Sequence, residues 1–283
     1  MHALSRICLM VVILVSVAAC RPARNPSTSV LPAQNAATSE LTLESKFQKP
    51  NQARLIEKRW KNLFALKTHT ISEEHDGYCP YELSAKYPEA VSTKLSVKRF
   101  NKWIKRKISA DARRFRWLEL RAEPRAKKER KKSLKEGLEL TFYVYFSNRQ
   151  LISLRLTHRV MAAGQMHPIN YYETINYDLL KNRRLAARDV FRRGYLKVFS
   201  TYSRKYLKDT YEIFSDNWFN DGTAARRFNF GNWNLVPDGV LISFEDYQVS
   251  SHSFGQPELI VPYSNLTRVL RMSIARLHLG IRI

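Results

Sequence analysis

The chain has 283 residues, 44% hydrophobic and 12% aromatic, with only 9 Gly and 11 Pro, a composition that excludes collagen-like and low-complexity chains and allows a real hydrophobic core. Lys and Arg number 48 against 25 Asp and Glu, a formal net charge of +23 with an isoelectric point near 10.1. That excess bears on partners rather than on fold, and it points to something anionic nearby.

Residues 1–19 read as an export signal. Arg6 gives a positive start, and Ile7 to Ala19 is an apolar run broken only by Ser16, long enough for a signal-peptide core and too short for a membrane span. It ends in Val17-Ala18-Ala19-Cys20, which resembles the bacterial lipobox, in which the cysteine is diacylated. Cys20 is therefore the expected lipid-attachment site and makes the membrane a partner through that lipid. With Arg21 rather than Asp after it, a source with two membranes would place the protein on the outer membrane or its periplasmic face. Residues 20–52 are rich in Pro, Ser, Thr, Asn, Gln and Ala and read as the lipidated Cys followed by a solvated tether. Cys8 leaves with the signal and Cys20 carries lipid, so Cys79 has no intramolecular disulfide partner and is expected to be an inert thiol.

Residues 53–283 form the expected folded part, with 53–180 and 181–283 as optional sub-domains. A short helix over 53–66 leads to a strand at Leu66–Ile71, then a loop-rich region to Pro88 with an Asp76-Gly77 turn. Val97, Phe100, Ile104, Ile108 and Phe115 then recur at steps of three, four, four and seven, one apolar face of a helix whose remaining positions are largely Lys and Arg. Alternation over Leu138–Phe146 and Ile152–Thr157 predicts a hairpin across Ser147–Gln150. A strand follows near Tyr171–Tyr177, a helix over Ala187–Leu207 with Phe191, Tyr195, Phe199, Tyr202 and Tyr206 at helical spacing, strands at Phe228–Leu235 and Val240–Val249 around Pro237-Asp238-Gly239, and a strand at Leu259–Pro262. Ser264 is the expected cap of a last helix that turns Leu266, Val269, Leu270, Ile274 and Leu277 inward. Strand pairs mixed with helices, without regular alternation, give an α+β fold.

Several of these pieces carry a resemblance. Tyr87-Pro88, Leu151-Ile152-Ser153-Leu154, Gly164-Gln165-Met166-His167-Pro168, Asn176-Tyr177-Asp178 and Ala187-Arg188-Asp189-Val190-Phe191 make one group. Phe228-Asn229-Phe230, the run Pro237 to Val249, Gly255 and Ile260-Val261-Pro262-Tyr263 make a second, more specific one. In this order they are similar to the RsiV/PdaC-like extracytoplasmic domain family, a PdaC-type module followed by the RsiV C-terminal-type domain of unknown function. The resemblance implies a shared fold more firmly than a shared activity. It implies lysozyme recognition in one branch and a domain accompanying a deacetylase in another; the His-x-x-x-His pair that a deacetylase would need is missing from the seven histidines.

For chemistry, His167 before Pro168 is the best functional histidine, with His252 among Ser250, Ser251 and Ser253 near Asp246 as a second. No Gly-x-Ser-x-Gly elbow, zinc spacing or phosphate-binding glycine loop accompanies them. The expectation is a non-enzyme with no catalytic residue, metal or cofactor; a cell-wall hydrolase using His167 or His252, or a deacetylase accessory domain, is the second alternative after a sensor or inhibitor of lysozyme-like enzymes. Charge is more informative. Between Lys94 and Lys135 there are 18 Lys and Arg against four acidic residues, a net charge of +14, with Lys127, Lys128, Arg130, Lys131 and Lys132 at its densest point. Each cation near an anionic surface contributes about 1 kcal/mol. The expected partner is thus an anionic envelope component: a peptidoglycan-associated glycan, a lipid head group or an envelope protein. Nucleic acid would match the charge, but export removes it. A lysozyme-like protein, itself commonly basic, is the alternative partner, disfavoured by repulsion unless a local acidic patch compensates.

Overall fold

The computed structural model describes residues 60–76, 80–121, 135–162, 165, 167–211, 217–251 and 255–271. Residues 60–65, expected to close a helix over 53–66, are irregular instead: Asn62 Nδ2 and Leu63 N donate to Val144 O and Ser147 O at 3.1 and 3.0 Å, strapping this segment to the sheet. The remainder of that expected helix, residues 53–59, lies outside the described residues.

Six strands make the first sheet in sequence order: β1 (Leu66–His75), β2 (Tyr81–Ala90), β3 (Glu136–Ser147), β4 (Leu151–Met161), β5 (Ile169–Asp178) and β6 (Arg183–Arg184). The expected loop before Pro88 is in fact β2, paired antiparallel with β1 from Leu66↔Ala90 to His75↔Tyr81. Tyr81, Leu83, Ala85 and Tyr87 are buried while Glu82 and Lys86 are exposed, the period of a half-buried strand. Pro88 sits beyond Tyr81–Ala85, the part of β2 that pairs with β3, on an edge where a missing N–H is tolerated.

β2 and β3 are parallel, so the chain must cross over between them. Helix α1 (Leu95–Arg121) lies in that crossover. Val97, Phe100, Ile104, Ile108 and Ala112 are at most 2% exposed and join Leu83, Ala85, Leu138, Leu140, Leu154 and Ile175 in one core. At about 1.5–3 kcal/mol for each large side chain, this face holds the helix down. Asn101 fixes its start, its amide exchanging bonds with the N–H and C=O of Ala90 at 3.0 and 2.9 Å.

The expected hairpin of β3 and β4 is present, with one departure. The register shifts between Val144 and Phe146, and Tyr145, on the same face as Tyr143, is fully buried because the far face of this half of the sheet is also covered. The cover is a second sheet of β7 (Trp233–Val236), β8 (Gly239–Ser243) and β9 (Glu258–Pro262). Asn234 Nδ2 donates to Ser153 Oγ and Leu154 O, both at 2.9 Å, and Leu235 N donates to Asn176 Oδ1 at 2.7 Å. Gly239, read as a turn glycine, serves another purpose. The turn is Pro237-Asp238, and a Cβ on Gly239 would stand 2.2 Å from Val261 O, so glycine permits the close approach of β8 and β9.

Behind the second sheet, the expected single helix over Ala187–Leu207 is two, α2 (Ala187–Val190) and α3 (Tyr195–Tyr211). They are separated where Phe191 bridges Leu270 and Gly194 takes φ 91°. Phe191 and Phe199 are buried, with Tyr195, Tyr202 and Tyr206 packed against the same core. Phe228–Phe230 is a turn rather than strand, and the strand expected to run to Val249 stops at Ser243. Here α4 (Asn217–Gly222) intervenes, tied down by Gln248 Nε2 to Gly222 O and Asn229 O at 3.0 and 2.9 Å. The last helix among the described residues, α5 (Tyr263–Leu266), has Pro262 at its N-cap position with no side-chain cap bond, so Ser264 lies inside it and is not its cap. Leu266, Val269 and Leu270 are buried as expected, while Ile274 and Leu277 lie outside the described residues.

The fold is α+β. The hydrophobic-core residues among the described ones lie between Trp60 and Leu270, within the compact unit Gln48–Ile283. Among the described residues no helix is long and apolar enough to cross a membrane.

Candidate functional site

Burial of one face of α1 leaves the other to solvent, and its composition is one-sided. The ten exposed positions described on this helix are Leu95, Lys98, Arg99, Lys102, Lys105, Arg106, Ala110, Arg113, Arg114 and Trp117. Seven are cations and none is acidic. An ordinary solvated helix face mixes Glu with Lys, because like charges three or four residues apart cost about 0.2–0.5 kcal/mol per pair. Lys98 with Lys102 and Lys102 with Arg106 are such pairs, so the stripe weakens the helix that carries it and folding does not account for it. At 1.5 Å per residue the ridge from Leu95 to Trp117 is about 35 Å long.

The two acidic residues of α1 are only part-exposed. Asp111 points beneath the helix, where Lys107 Nζ lies 2.8 Å from Asp111 Oδ2 and 2.6 Å from Glu173 Oε2 on β5, and Arg184 Nη1 lies 2.8 Å from Glu173 Oε1. His158 of β4 stacks on Tyr171 at 4.5 Å, with Nε2 3.9 Å from Glu173 Oε2 and without a hydrogen bond. Burial holds the His158 imidazole below its ordinary value, and the nearby carboxylates do not reverse it. Burial would raise the Glu173 carboxyl, but Lys107 and Arg184 outweigh it and hold it low. Asp111, His158 and Glu173 bring three ligand atoms within 4.8 Å of one another, a donor set suited to a divalent transition metal. The Lys107 ammonium stands against both carboxylates and supplies the cation there. Sequence spacing could not reveal this group, whose members come from one helix and two strands.

Because His158 stays neutral when folded, the unfolded chain binds more protons as pH falls through 6.5, the ordinary imidazole value, and stability must fall with it. Asp189 adds a second, more acidic window. Its bond from Arg183 holds it at about 2, so its contribution is present above the ordinary 3.8 and is lost as pH drops toward 2. Urea unfolding on either side of pH 6.5 is expected to show the first loss in the native chain and a flatter profile in His158→Phe, which keeps the stack on Tyr171. Equal profiles would contradict the assignment.

The side of the first sheet facing away from α1 is only half covered by the second sheet. In the half that the second sheet leaves uncovered, a cross-strand row runs Ser72, Ser84, Glu139, Arg159, within a cavity of about 620 Å³ that Glu74 and Glu82 also line, whereas the Glu73 carboxylate turns to the α1 side, 3.3 Å from Arg116 Nε. Lys135 bonds Glu74, Asp76 and Glu82, and Arg159 pairs with Glu139 at 3.4 Å. This patch carries more acids than bases on a strongly basic chain. The alternating acids of β1, β2 and β3 were its only trace in the sequence.

Of the residues singled out from sequence, His167 is exposed just before β5. Asp246 accepts from Asn170 N and Nδ2, both at 3.2 Å, and so anchors the start of β5. Cys20, Cys79, Lys127, Lys128, Arg130, Lys131, Lys132 and His252 lie outside the described residues. The motif residues behind the resemblance are connectors: Asn176 joins the sheets through Leu235 N and Trp233 O, Asp178 accepts from Leu180 N and Lys181 N, and Tyr263 OH donates to Val236 O at 2.7 Å.

Comparison with known proteins agrees with that resemblance. The peptidoglycan-N-acetylmuramic acid deacetylase PdaC of Bacillus subtilis (strain 168) is 28% identical over 111 residues, 38% of this chain and 24% of that protein, so the chain spans about a quarter of its relative's length. Crystal structures of DUF3298 family proteins from Bacteroides fragilis NCTC 9343 and Pseudomonas aeruginosa PAO1 superpose with TM-scores of 0.56 and 0.52. Each is 16% identical; they cover 75% and 73% of this chain and 96% and 95% of their own. At that identity they show the fold alone. Residues 188–264 match the family model described as a protein of unknown function, DUF3298, so the chain carries a DUF3298 segment within a fold shared by solved DUF3298 proteins, with PdaC as a distant relative.

Proposed function

We propose that this chain is a non-catalytic cell-envelope module that holds an anionic envelope component on the outer face of α1. The observation that carries the reading is that the exposed positions of α1 hold seven cations, from Lys98 to Arg114, and no acid. The basic run continues in sequence toward Lys127–Lys132. The relationship to a peptidoglycan deacetylase supports an envelope setting, and the Cys20 lipid is the proposed tether to the membrane, which would make even weak electrostatic contact effective by raising local concentration. Binding through charge is screened, since the Debye length falls from about 10 Å at 0.1 M salt to about 3 Å at 1 M. Retention of the unit Gln48–Ile283 on purified sacculi and on vesicles containing phosphatidylglycerol is therefore expected to fall steeply with salt. Retention independent of salt would overturn the reading.

The acidic cavity favours a second reading. A basic lysozyme-like protein would meet least repulsion beside Glu74, Glu82 and Glu139, and a complex lost on Glu82→Lys with Glu139→Lys, but kept when α1 is altered, would select it.

A further inference from the structure

The ends of the cationic ridge differ from its middle. Leu95 is 63% exposed and Trp117 53% exposed, and both lie on the crest of α1. Positions 95, 99, 102, 106, 113 and 117 follow one another at steps that keep a single helix face, so the crest reads Leu95, Arg99, Lys102, Arg106, Arg113, Trp117. Val91, 47% exposed, extends the apolar end at the N-terminal side. We infer that the anionic component held by this crest is the head-group layer of a phospholipid leaflet, with α1 lying along the surface and Leu95 and Trp117 entering the interface at its two ends. The inference rests on the binding reading above and narrows it to one partner.

Three features separate a leaflet from a wall glycan. First, a hydrated polymer gains nothing from large apolar side chains at the limits of the charged run. A bilayer offers head groups for the cations and, just beneath them, an apolar boundary for Leu and an amphipathic layer that favours Trp. Second, the cations nearest the crest have long aliphatic stems that can lie on that boundary while their charges remain among phosphates. Third, the crest belongs to a helix already folded and pinned by Asn101 and the core, so contact requires no ordering of the helix, unlike a peptide that folds on the membrane. The opposite, acidic side of the sheet would face away from the leaflet, which gives the domain one preferred orientation.

The test uses the unit Gln48–Ile283 with vesicles of phosphatidylcholine, with and without phosphatidylglycerol, and with lipids brominated in the acyl chain close to the head group. The native unit is expected to bind only the anionic vesicles and to show tryptophan quenching by the brominated lipid. Trp117→Phe is expected to remove most of that quenching while binding persists. Leu95→Gln with Trp117→Gln is expected to weaken vesicle binding about ten-fold, from the loss of partly buried apolar area, and to leave retention on purified sacculi unchanged. Both positions are exposed, so circular dichroism of the variants should match the native unit. Vesicle binding without quenching, and with unchanged affinity in the double variant, would overturn the leaflet inference and leave the charge-based reading standing. Salt-sensitive binding to sacculi without binding to anionic vesicles would do the same. No salt-sensitive binding to either would remove both.

Discussion

Glu258→Ala is expected to lower the stability of the unit Gln48–Ile283 toward urea by about 3–5 kcal/mol, the cost of leaving a buried charge without its partner. Glu258 on β9 is 1% exposed, and one oxygen, Oε1, accepts from Tyr145 OH at 2.8 Å, Ser243 Oγ at 2.6 Å and Arg155 Nη1. Arg155, 7% exposed on β4, also lies over the Tyr172 ring at 4.2 Å. Burial, and then the Glu258 charge, push the Tyr145 hydroxyl well above its ordinary value, so it remains a donor. This group is the charged link between the two sheets. Removing the carboxylate takes the buried counter-charge from the guanidinium, whereas removing both charges leaves none to balance. Arg155→Met combined with Glu258→Leu is therefore expected to recover much of the loss. A single variant within about 1 kcal/mol of the native chain, or a double variant no better than the single, would show that the sheets do not depend on this pair.

The legible parts of the chain were those in which one face is buried and the other is solvated. The period of Val97, Phe100, Ile104 and Ile108 gave α1, and alternation gave β3, β4 and β5, because each contrast follows from a single covered face. Reading failed where both faces are covered or where long-range contact sets the boundary. Tyr145 alternates as an outward residue and is buried because the second sheet lies over it. β2 was obscured by Pro88 and by its charged outer face. The break between α2 and α3 depends on Phe191 reaching Leu270, a contact that no local pattern encodes. Gly239 looked like part of a turn, but its reason is Val261, some twenty residues away. For the candidate site, the excess of Lys and Arg near α1 was visible from the start. The absence of acids from its exposed face was not, because Asp111 and Glu119 interrupt the sequence while burial draws them away from the crest. The His158 group combines three elements and left no trace in spacing.

The central claim is that placement on α1, rather than net charge, holds the anionic partner. Reversing Lys98, Lys102, Arg106 and Arg113 to Glu removes four contacts of about 1 kcal/mol each, roughly a thousand-fold in affinity before any repulsion from the new carboxylates is added. The helix should change little: the pairs 98/102 and 102/106 stay like-charged as Glu with Glu, while positions 99 with 102, 102 with 105 and 113 with 116 become opposite pairs three residues apart. Lys67, Lys86, Lys181 and Lys197 are exposed away from α1 in the sequence, and their reversal to Glu changes net charge by the same amount. Dissociation constants of the native unit and of both quadruple variants on phosphatidylglycerol vesicles and on sacculi are the most direct measurement. The account predicts near-complete loss for the α1 set and a much smaller change for the distributed set, with unfolding midpoints close to native in both. Equal losses in the two sets, or native affinity with the α1 set reversed, would contradict it.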